Sequence, residues 1–525
     1  MEMNFENEYI TNSYAYKWSE VSLDKTSKKI KLNPQEKTFE FRTRNKVPKL
    51  GVLLVGLGGN NGTTVLGGLL ANKHNITWTT KRGVQKPNFF GSITQCSTTK
   101  VGLMDGKEFY LPLNEVLPMV DPRNLIVHGW DINGMNLADS MRRAEVFDWD
   151  LQLLLAPLIK DITPLPGIYY RDFIASNQQD RADHILKGDD KQVHLEHIRK
   201  NIQDFKSQND LERVIVLWTA NTERMSELTP GVNLSEGEIL NSIKTSHKEI
   251  APSVIYAVAA IMEGCSFING SPQNTILPGV VEMAEKKGVF VVGNDFKSGQ
   301  TKFKTAFTEF LVQAGIKPRS IVSYNHLGNN DGKNLNEEQQ FKSKEKSKSS
   351  CVDDILFSNT TLFKREENKI KESGSKENSI DHCVVIKYVP ATGDSKKAMD
   401  EYLSEIFMGG QHIFTCYNVC EDSLLAAPLI IDLVILTELF ERIEVRSKDS
   451  EMKFQKFHSV LDILGYLLKA PLCEEGKEVI NSLTRQRNQI ENILKVCAGI
   501  PLETNLALER RVKNCNREES GKKKH

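Results

Sequence analysis

No CxxC pair, no HExxH motif, no excess charge and no bilayer-length apolar run occur in this 525-residue chain. Its nine cysteines are scattered, Cys416 and Cys420 being the closest pair. In a chain this long, such spacing excludes a disulfide-stapled mini-domain and a zinc finger, and fits reduced thiols in a cytoplasmic protein. The eleven histidines form no zinc-protease helix, and the sequence leaves the question of a metal open. Basic and acidic residues both number 68, giving zero formal net charge and a pI near 7.2. No global field then favours nucleic acid or a membrane surface, so an anionic ligand must be met by local clusters. The N-terminus, MEMNFENEYI, lacks the basic start and apolar run of a secretory signal. Leu424 to Leu436 is the longest apolar stretch, interrupted by Asp432 and too short to span a bilayer. A cytoplasmic protein is expected, with no nucleic-acid or membrane partner.

The length exceeds what one hydrophobic core usually serves, so two domains are expected. Residues 1 to about 47 are polar and hard to read. From Lys49 the texture changes: GVLLVG reads as a buried strand and NNGTTVLGGLLANK as the helix after it. Apolar runs follow at LIVHGW, RVIVLWTA, VFVVGND and SIVSYNH, with helical patterns at Leu137 to Leu155 and Ile239 to Met262 between them. Strands alternating with helices predict an α/β fold with a doubly wound parallel sheet. After Asn330, HCVVIKYVP and HIFTCYNVC read as strands of a more exposed α+β unit, with AMDEYLSEIF as a helix between them. KREENKIKESGSKENS reads as a solvated loop, and LLAAPLIIDLVILTELFERI as a buried helix. The basic end after about residue 510 reads as a frayed tail.

VGLGGNNGTT lies where a strand ends and a helix begins, the context a dinucleotide-phosphate turn requires. Gly56 and Gly58 permit the tight turn, and helix-start amides can receive a pyrophosphate; a purely structural turn is the competing reading. No acidic residue stands about twenty positions on. The chain there reads NITWTTKRG, so Lys81 and Arg82 can be read as a 2′-phosphate site, while Asp131 in HGWDI can serve a ribose. Spacing alone does not choose between NAD and NADP. LWTANTER and NGSPQNT are further polar strand ends, readable also as a helix cap and a loop.

The densest polar run lies between Gly293 and Lys348: GNDFKSGQTK, YNHLGNNDG and SKEKSKSS. Lys297, Lys302, Lys304, Lys344 and Lys348 supply cations there; Asp295 and Asp331 supply carboxylates. SGQTK precedes a helical pattern, so Ser298 and Thr301 either seat a phosphate or merely cap the helix. Lys344 and Lys348, four apart, share one helix face, which taken alone reads as a solvated one. Lys396 and Lys469 stand in less polar surroundings, where burial makes a lysine a usable acid or base. Asp422 can orient such an ammonium or cap the apolar helix.

GLGGNNGTT, LWTANTER, NGSPQNT, GNDFKSGQTK, SYNHLGNNDG, DSKKAMDEY, CEDSLLAAP and LLKAPL occur in the order seen in eukaryotic-type inositol-3-phosphate synthases (myo-inositol-1-phosphate synthases). The chain resembles that family over about residues 10 to 512. The resemblance implies a Rossmann-like NAD-binding domain, here 48–301 and 423–512, preceded by an N-terminal segment, 1–47, that packs on it. Inserted is an α+β catalytic and tetramerisation domain, 302–422; a basic tail, 513–525, follows. It further implies a homotetramer that converts D-glucose 6-phosphate to 1D-myo-inositol 3-phosphate, with NAD reduced and reoxidised in each cycle.

By the same resemblance, Lys344, Lys396 and Lys469 match catalytic lysines, with Lys348 near the substrate. Asp295, Asn329, Asp331 and Asp422 match positions around nicotinamide and substrate. Lys344 is assigned the C5 hydroxyl proton and Lys469 the enolate or aldehyde oxygen. Lys348 and Lys396, with Ser298, Gly299, Gln300 and Thr301, would grip the phosphate. The cofactor set is Gly58, Gly59, Asn60, Asn61, Asp131, Gln178, Arg181, Thr219, Ala220, Asn221, Thr222, Gly270, Ser271 and Asp394, together with Asp295, Asn329, Asp331 and Asp422. The resemblance favours NAD despite Lys81 and Arg82. Asn294 and Gly167 depart from the Asp and Ser common in the family. An ordinary sugar-phosphate dehydrogenase and a non-catalytic dinucleotide-binding protein are the competing readings.

Overall fold

The computed structural model describes residues 8–24, 29–363, 380–448 and 453–512. The charged stretch 364–379 and the tail 513–525, expected as a loop and a frayed end, lie outside the described residues. Leu50–Val55, LGVLLV, is buried at every position and sits inside a six-stranded sheet. The order is Val291–Val292, Ser266–Asn269, Arg213–Trp218, Leu50–Val55, Ile126–Asp131 and Leu165–Pro166, with every pairing parallel. Strands covered on both faces need continuous apolar runs rather than alternation, as these sequences supply. The chain places Ile126–Asp131 on one side of Leu50–Val55 and later Arg213–Trp218 on the other. The order therefore reverses there, and a crevice opens beyond the carboxyl ends of the two strands.

Two helical patterns are each divided. Leu137–Ala144 and Trp149–Ile159 replace a single helix, the first closing on Glu145 in a left-handed conformation at φ 51°. Likewise Glu236–Lys244 and Pro252–Met262 are separate; Ser246 has φ 52°, and Pro252 starts the second helix, where its missing N–H costs nothing.

A second, mixed sheet has the order Asp381–Tyr388, Lys317–Leu327, Ser395–Glu405 and Gln411–Glu421. SIVSYNH belongs to this sheet and not to the parallel one. The segment expected as a helix, AMDEYLSEIF, is mostly strand. Lys396, Ala398, Asp400, Tyr402 and Ser404 are buried while Lys397, Met399 and Glu401 are exposed, a period of two. Its helix-forming Ala, Met, Glu and Leu are overruled by ladders on both sides, since tertiary pairing outweighs propensity of a few tenths of a kcal/mol.

The polar N-terminus forms a long hairpin, Tyr9–Leu23 with Ile30–Arg44, and Ile443–Ser447 adds a third strand. Ile10 and Phe41 anchor its base in the core; much of the rest is exposed, which is why no apolar stripe marks it.

Asp422–Glu441 is apolar on nearly every face. By length and composition it could cross a membrane, yet 89% of its apolar window is buried inside the protein. It packs against the helix Asn60–Lys73. Its one mid-helix charge, Asp432, accepts hydrogen bonds from Ser92 Oγ (2.6 Å), Ile93 N (2.7 Å), Thr94 N (3.0 Å) and Thr94 Oγ1 (2.6 Å). A buried carboxylate is tolerated only with such a full set of donors.

Candidate active site

Polar strand ends, the start of the apolar core helix and the second sheet enclose one cleft of about 1290 Å³, counting its open mouth. Its lining comes from both sheets, and ligand sites commonly form where two structural units meet. On the first strand's side, Gly56 has φ +96°, and a Cβ there would lie 2.7 Å from Ala220 Cα. Only glycine allows this turn to sit against the neighbouring strand end. Gly58 N donates to Asp131 Oδ2 at 2.9 Å, and Arg181 Nη2 lies 3.8 Å from Asp131 Oδ1. Gly59, Asn60, Asn61, Asp131 and Arg181 line the cleft; Gly58 stands behind the turn.

Thr219, Ala220, Asn221 and Thr222 line the cleft beside this turn, with Gly270 and Ser271 from the next strand end. Gln178, fully buried, accepts from Asn221 Nδ2 and Asn330 Nδ2, each at 3.0 Å, so it braces that lining. Trp218 Nε1 and Thr219 Oγ1 are buried without a protein partner. Unpaired donors beside a glycine turn and an acidic strand end suit a polar, hydroxyl-bearing dinucleotide. Lys81 and Arg82 lie at an exposed hairpin tip outside the cleft, so they build no 2′-phosphate site. Arg143, which no sequence motif marked, lines the cleft and donates to Gly58 O.

Asp394 ties the two sheets together. Its carboxylate accepts from Asn60 Nδ2 (3.1 Å), Asn329 Nδ2 (3.4 Å), Ser423 N (2.9 Å) and Ser423 Oγ (2.9 Å). It therefore acts through neighbours, outside the cleft lining itself.

The helix Glu338–Ser349 carries Lys344 and Lys348 on a buried face, so the solvated-face reading fails. Lys344 Nζ donates to Asp295 Oδ1 at 2.9 Å, Ser347 Oγ to Asp295 Oδ2 at 2.5 Å, and Lys469 Nζ lies 3.5 Å from Asp295 Oδ1. Burial opposes the Asp295 charge, but Lys344, Lys469 and Ser347 outweigh it and hold the carboxyl at about 2. Burial also opposes the Lys344 charge; Asp295 and Asp331 overcome it and raise its pKa. Lys469 goes the other way: burial, with Lys344 and Lys396 nearby, brings it down to about 7. Lys396 Nζ is 3.5 Å from Asp422 Oδ1. Asp331 is pushed up by burial, with Asp422 and Asp295 adding to it.

Asp295, Asn329, Asp331, Lys344, Lys396, Asp422 and Lys469 all line the cleft, as does Ser298. Gly299, Gln300 and Thr301 begin the helix Gly299–Gln313 and lie behind that lining with Lys348. Ser298 is its N-cap residue but makes no side-chain cap, leaving the hydroxyl and the first amides for a ligand. Lys348 is pulled well below the usual lysine range by burial and by Lys396 and Lys469. Among the described residues, no group of three or more His, Cys, Asp and Glu is placed to hold a metal ion.

Residues 50–495 match an NAD-binding sequence family described as Myo-inositol-1-phosphate synthase. Inositol-3-phosphate synthase of Dictyostelium discoideum is 50% identical over 97% of each chain. Isozyme 1 of that enzyme from Arabidopsis thaliana is 51% identical over 96% of each. The crystal structure of inositol-3-phosphate synthase from Caenorhabditis elegans superposes with a TM-score of 0.92 at 48% identity, covering 97% of both chains.

Proposed function

The chain belongs to the myo-inositol-1-phosphate synthase family, and we propose on that footing that it converts D-glucose 6-phosphate to 1D-myo-inositol 3-phosphate. This is an NAD-dependent isomerisation (an intramolecular lyase reaction), the first step of inositol biosynthesis. The observation that carries the reading is the convergence of Lys344, Lys396 and Lys469 with Asp295, Asp331 and Asp422 in one cleft that the glycine turn also lines.

When bound, NAD accepts a hydride from C5 of the open-chain sugar and returns it after ring closure. Gly58 to Asn61, Asp131, Gln178, Arg181, Thr219 to Thr222, Gly270 and Ser271 would hold it. Lys469, poised near 7, takes the C5 hydroxyl proton as a neutral amine. Lys344 is better suited to a standing cation, because its paired carboxylates keep it protonated. This exchanges the two roles expected from the sequence. While C5 is a ketone, the substrate's own phosphate takes a C6 proton and later gives it back to the C5 oxygen, and the Lys344 ammonium stabilises the enolate oxygen formed between those two transfers. Protonated Lys469 then lies ready to supply the C1 oxygen as carbon 6 attacks the aldehyde. Ser298 with the following helix amides, Lys348 and Lys396 would hold the phosphate.

Purified protein given glucose 6-phosphate and NAD is expected to form inositol phosphate with no net rise in NADH absorbance. One NADH accumulated per product would make it a dehydrogenase instead, and no product at all would favour a non-catalytic binding protein.

We assign residues 48–301 and 423–512 to the NAD-binding domain, 302–422 to the catalytic and tetramerisation domain, and 1–47 to a segment packing on the former. Every strand of the parallel sheet falls in the first range and every strand of the mixed sheet in the second. We further assign a cytoplasmic homotetramer. The described cysteines are free thiols, as in a reducing compartment. For assembly, Gln411–Glu421 is an edge strand of the mixed sheet, and Tyr324, Met399, Ile413 and Tyr417 are exposed on that sheet. An uncovered apolar face beside an open edge invites a second copy. Ile413→Asp combined with Tyr417→Asp is expected to yield smaller species by light scattering; an unchanged mass would remove this face from the interface.

A further inference from the structure

Lys348 is held by two side-chain amides, and each amide has its orientation fixed by a third group. Lys348 Nζ donates to Asn325 Oδ1 at 2.7 Å and to Gln300 Oε1 at 3.0 Å. Asn325 Nδ2 donates to Val385 O at 3.1 Å, so its oxygen end must face the lysine. Gln300 Nε2 donates to Asp400 Oδ1, whose other oxygen, Oδ2, accepts from Tyr402 Oη at 3.1 Å. Asp400 is 2% exposed and Gln300 4%. Lys348 and Gln300 thus sit in a polar network in which both amides have their oxygen and nitrogen ends assigned.

An amide can present either its oxygen or its nitrogen. A carboxylate accepts and cannot donate, so it admits one orientation only. Without Asp400, the Gln300 amide is free to turn its own donors toward Lys348 Nζ in place of its oxygen. With it, Gln300 and Asn325 hold two Lys348 donors in fixed directions, and when an anionic phosphate offsets the burial and neighbouring lysines that disfavour the Lys348 charge, the direction of the third donor is set as well.

We propose that Asp400 is a positioning residue for the sugar phosphate: acting through Gln300, it fixes the direction in which Lys348 offers a hydrogen-bond donor. The proposal rests on the reading that Lys348 and the start of the helix Gly299–Gln313 receive the phosphate. Asp400 itself lies outside the cleft lining and touches no reacting atom. Removing it weakens ground-state and transition-state binding of the phosphate alike, which raises KM and spares kcat.

The test is steady-state kinetics of the full-length enzyme with glucose 6-phosphate at saturating NAD. Asp400→Leu is expected to raise KM about tenfold or more while changing kcat less than about threefold. Asp400→Asn, which keeps an oxygen toward Gln300, is expected to restore KM to within about threefold of wild type. In a Gln300→Met background, adding Asp400→Leu should move KM less than about twofold, because residues acting in series are not additive. A purely packing role for Asp400 would instead lower kcat or NAD affinity and would not be rescued by Asn. If Asp400→Leu leaves KM unchanged while Lys348→Met raises it, Asp400 has no positioning role and the phosphate reading stands. If Lys348→Met leaves KM unchanged too, the phosphate reading falls and takes the proposal with it. Should Asp400→Leu alone not fold, the double variant against Gln300→Met decides, and a KM difference above about threefold overturns the proposal.

Discussion

Replacing Lys469 by alanine is expected to lower turnover by about 10³-fold or more while leaving NAD affinity within about twofold. The residue is buried, 3.5 Å from Asp295, and brought down to about 7 chiefly by that burial. It is the cleft lysine whose proton can leave and return near neutrality, whereas Lys344 is locked to its carboxylates. As the base for the C5 hydroxyl, Lys469 must be neutral when substrate binds. Wild-type kcat/KM should therefore rise with pH through about 7. Below that midpoint the amine is protonated and cannot accept. Lys469→Arg keeps the charge but never releases its proton, so it should be nearly as inactive as the alanine variant. Wild-type-like turnover in either variant would remove Lys469 from the proton path.

Asp295→Asn should strike both stability and rate. The carboxylate accepts from Lys344 and Ser347 and lies 3.5 Å from Lys469. An amide there takes away the hydrogen-bonded counter-charge of the buried Lys344 ammonium, a change that costs about 3–5 kcal/mol when one partner of a buried pair is removed. Turnover should fall about 10²- to 10³-fold, since the standing cation loses its anchor. The sign of the pH effect is fixed by the direction of the shift. Asp295 lies at about 2 in the folded protein against an ordinary 3.8, so its contribution is present above 3.8 and fades as pH falls toward 2. Urea unfolding at pH 7 and pH 3 tests this: the gap between wild type and Asp295→Asn should narrow at the lower pH. A gap that stays constant would mean Asp295 is not stabilised by those lysines.

Features set by neighbours in sequence were legible beforehand. Leu50–Val55 and the turn after it announce themselves within a dozen residues, because apolar run, glycines and helix start are contiguous. The shared helix face of Lys344 and Lys348 was equally local. Their burial was not, since the counter-charge for Lys344 is Asp295, 49 positions away, and Lys348 is met by amides from two other elements. Residues 398–407 read as a helix because their types favour one, while the ladders that make a strand of them as far as Glu405 lie on other segments. Arg143 reaches the glycine turn only through the packing of Leu137–Ala144 beside the first helix, which no spacing rule encodes. The family resemblance supplied residue roles that local patterns left open, and the contrast between Lys344 and Lys469 emerged only with their surroundings.

The helix Asp422–Glu441 begins at the cleft with Asp422 and ends with Glu438 paired to Arg442, 2.6 Å apart. One rod thus serves as both reaction-site wall and keystone of the interior. Grafting the lysine-bearing half onto a different nucleotide-binding framework would have to bring this rod along, together with the Ser92–Thr94 corner that hydrogen-bonds Asp432. Recombination in the laboratory should accordingly tolerate junctions in the N-terminal hairpin and reject those that fall between Asp394 and Arg442.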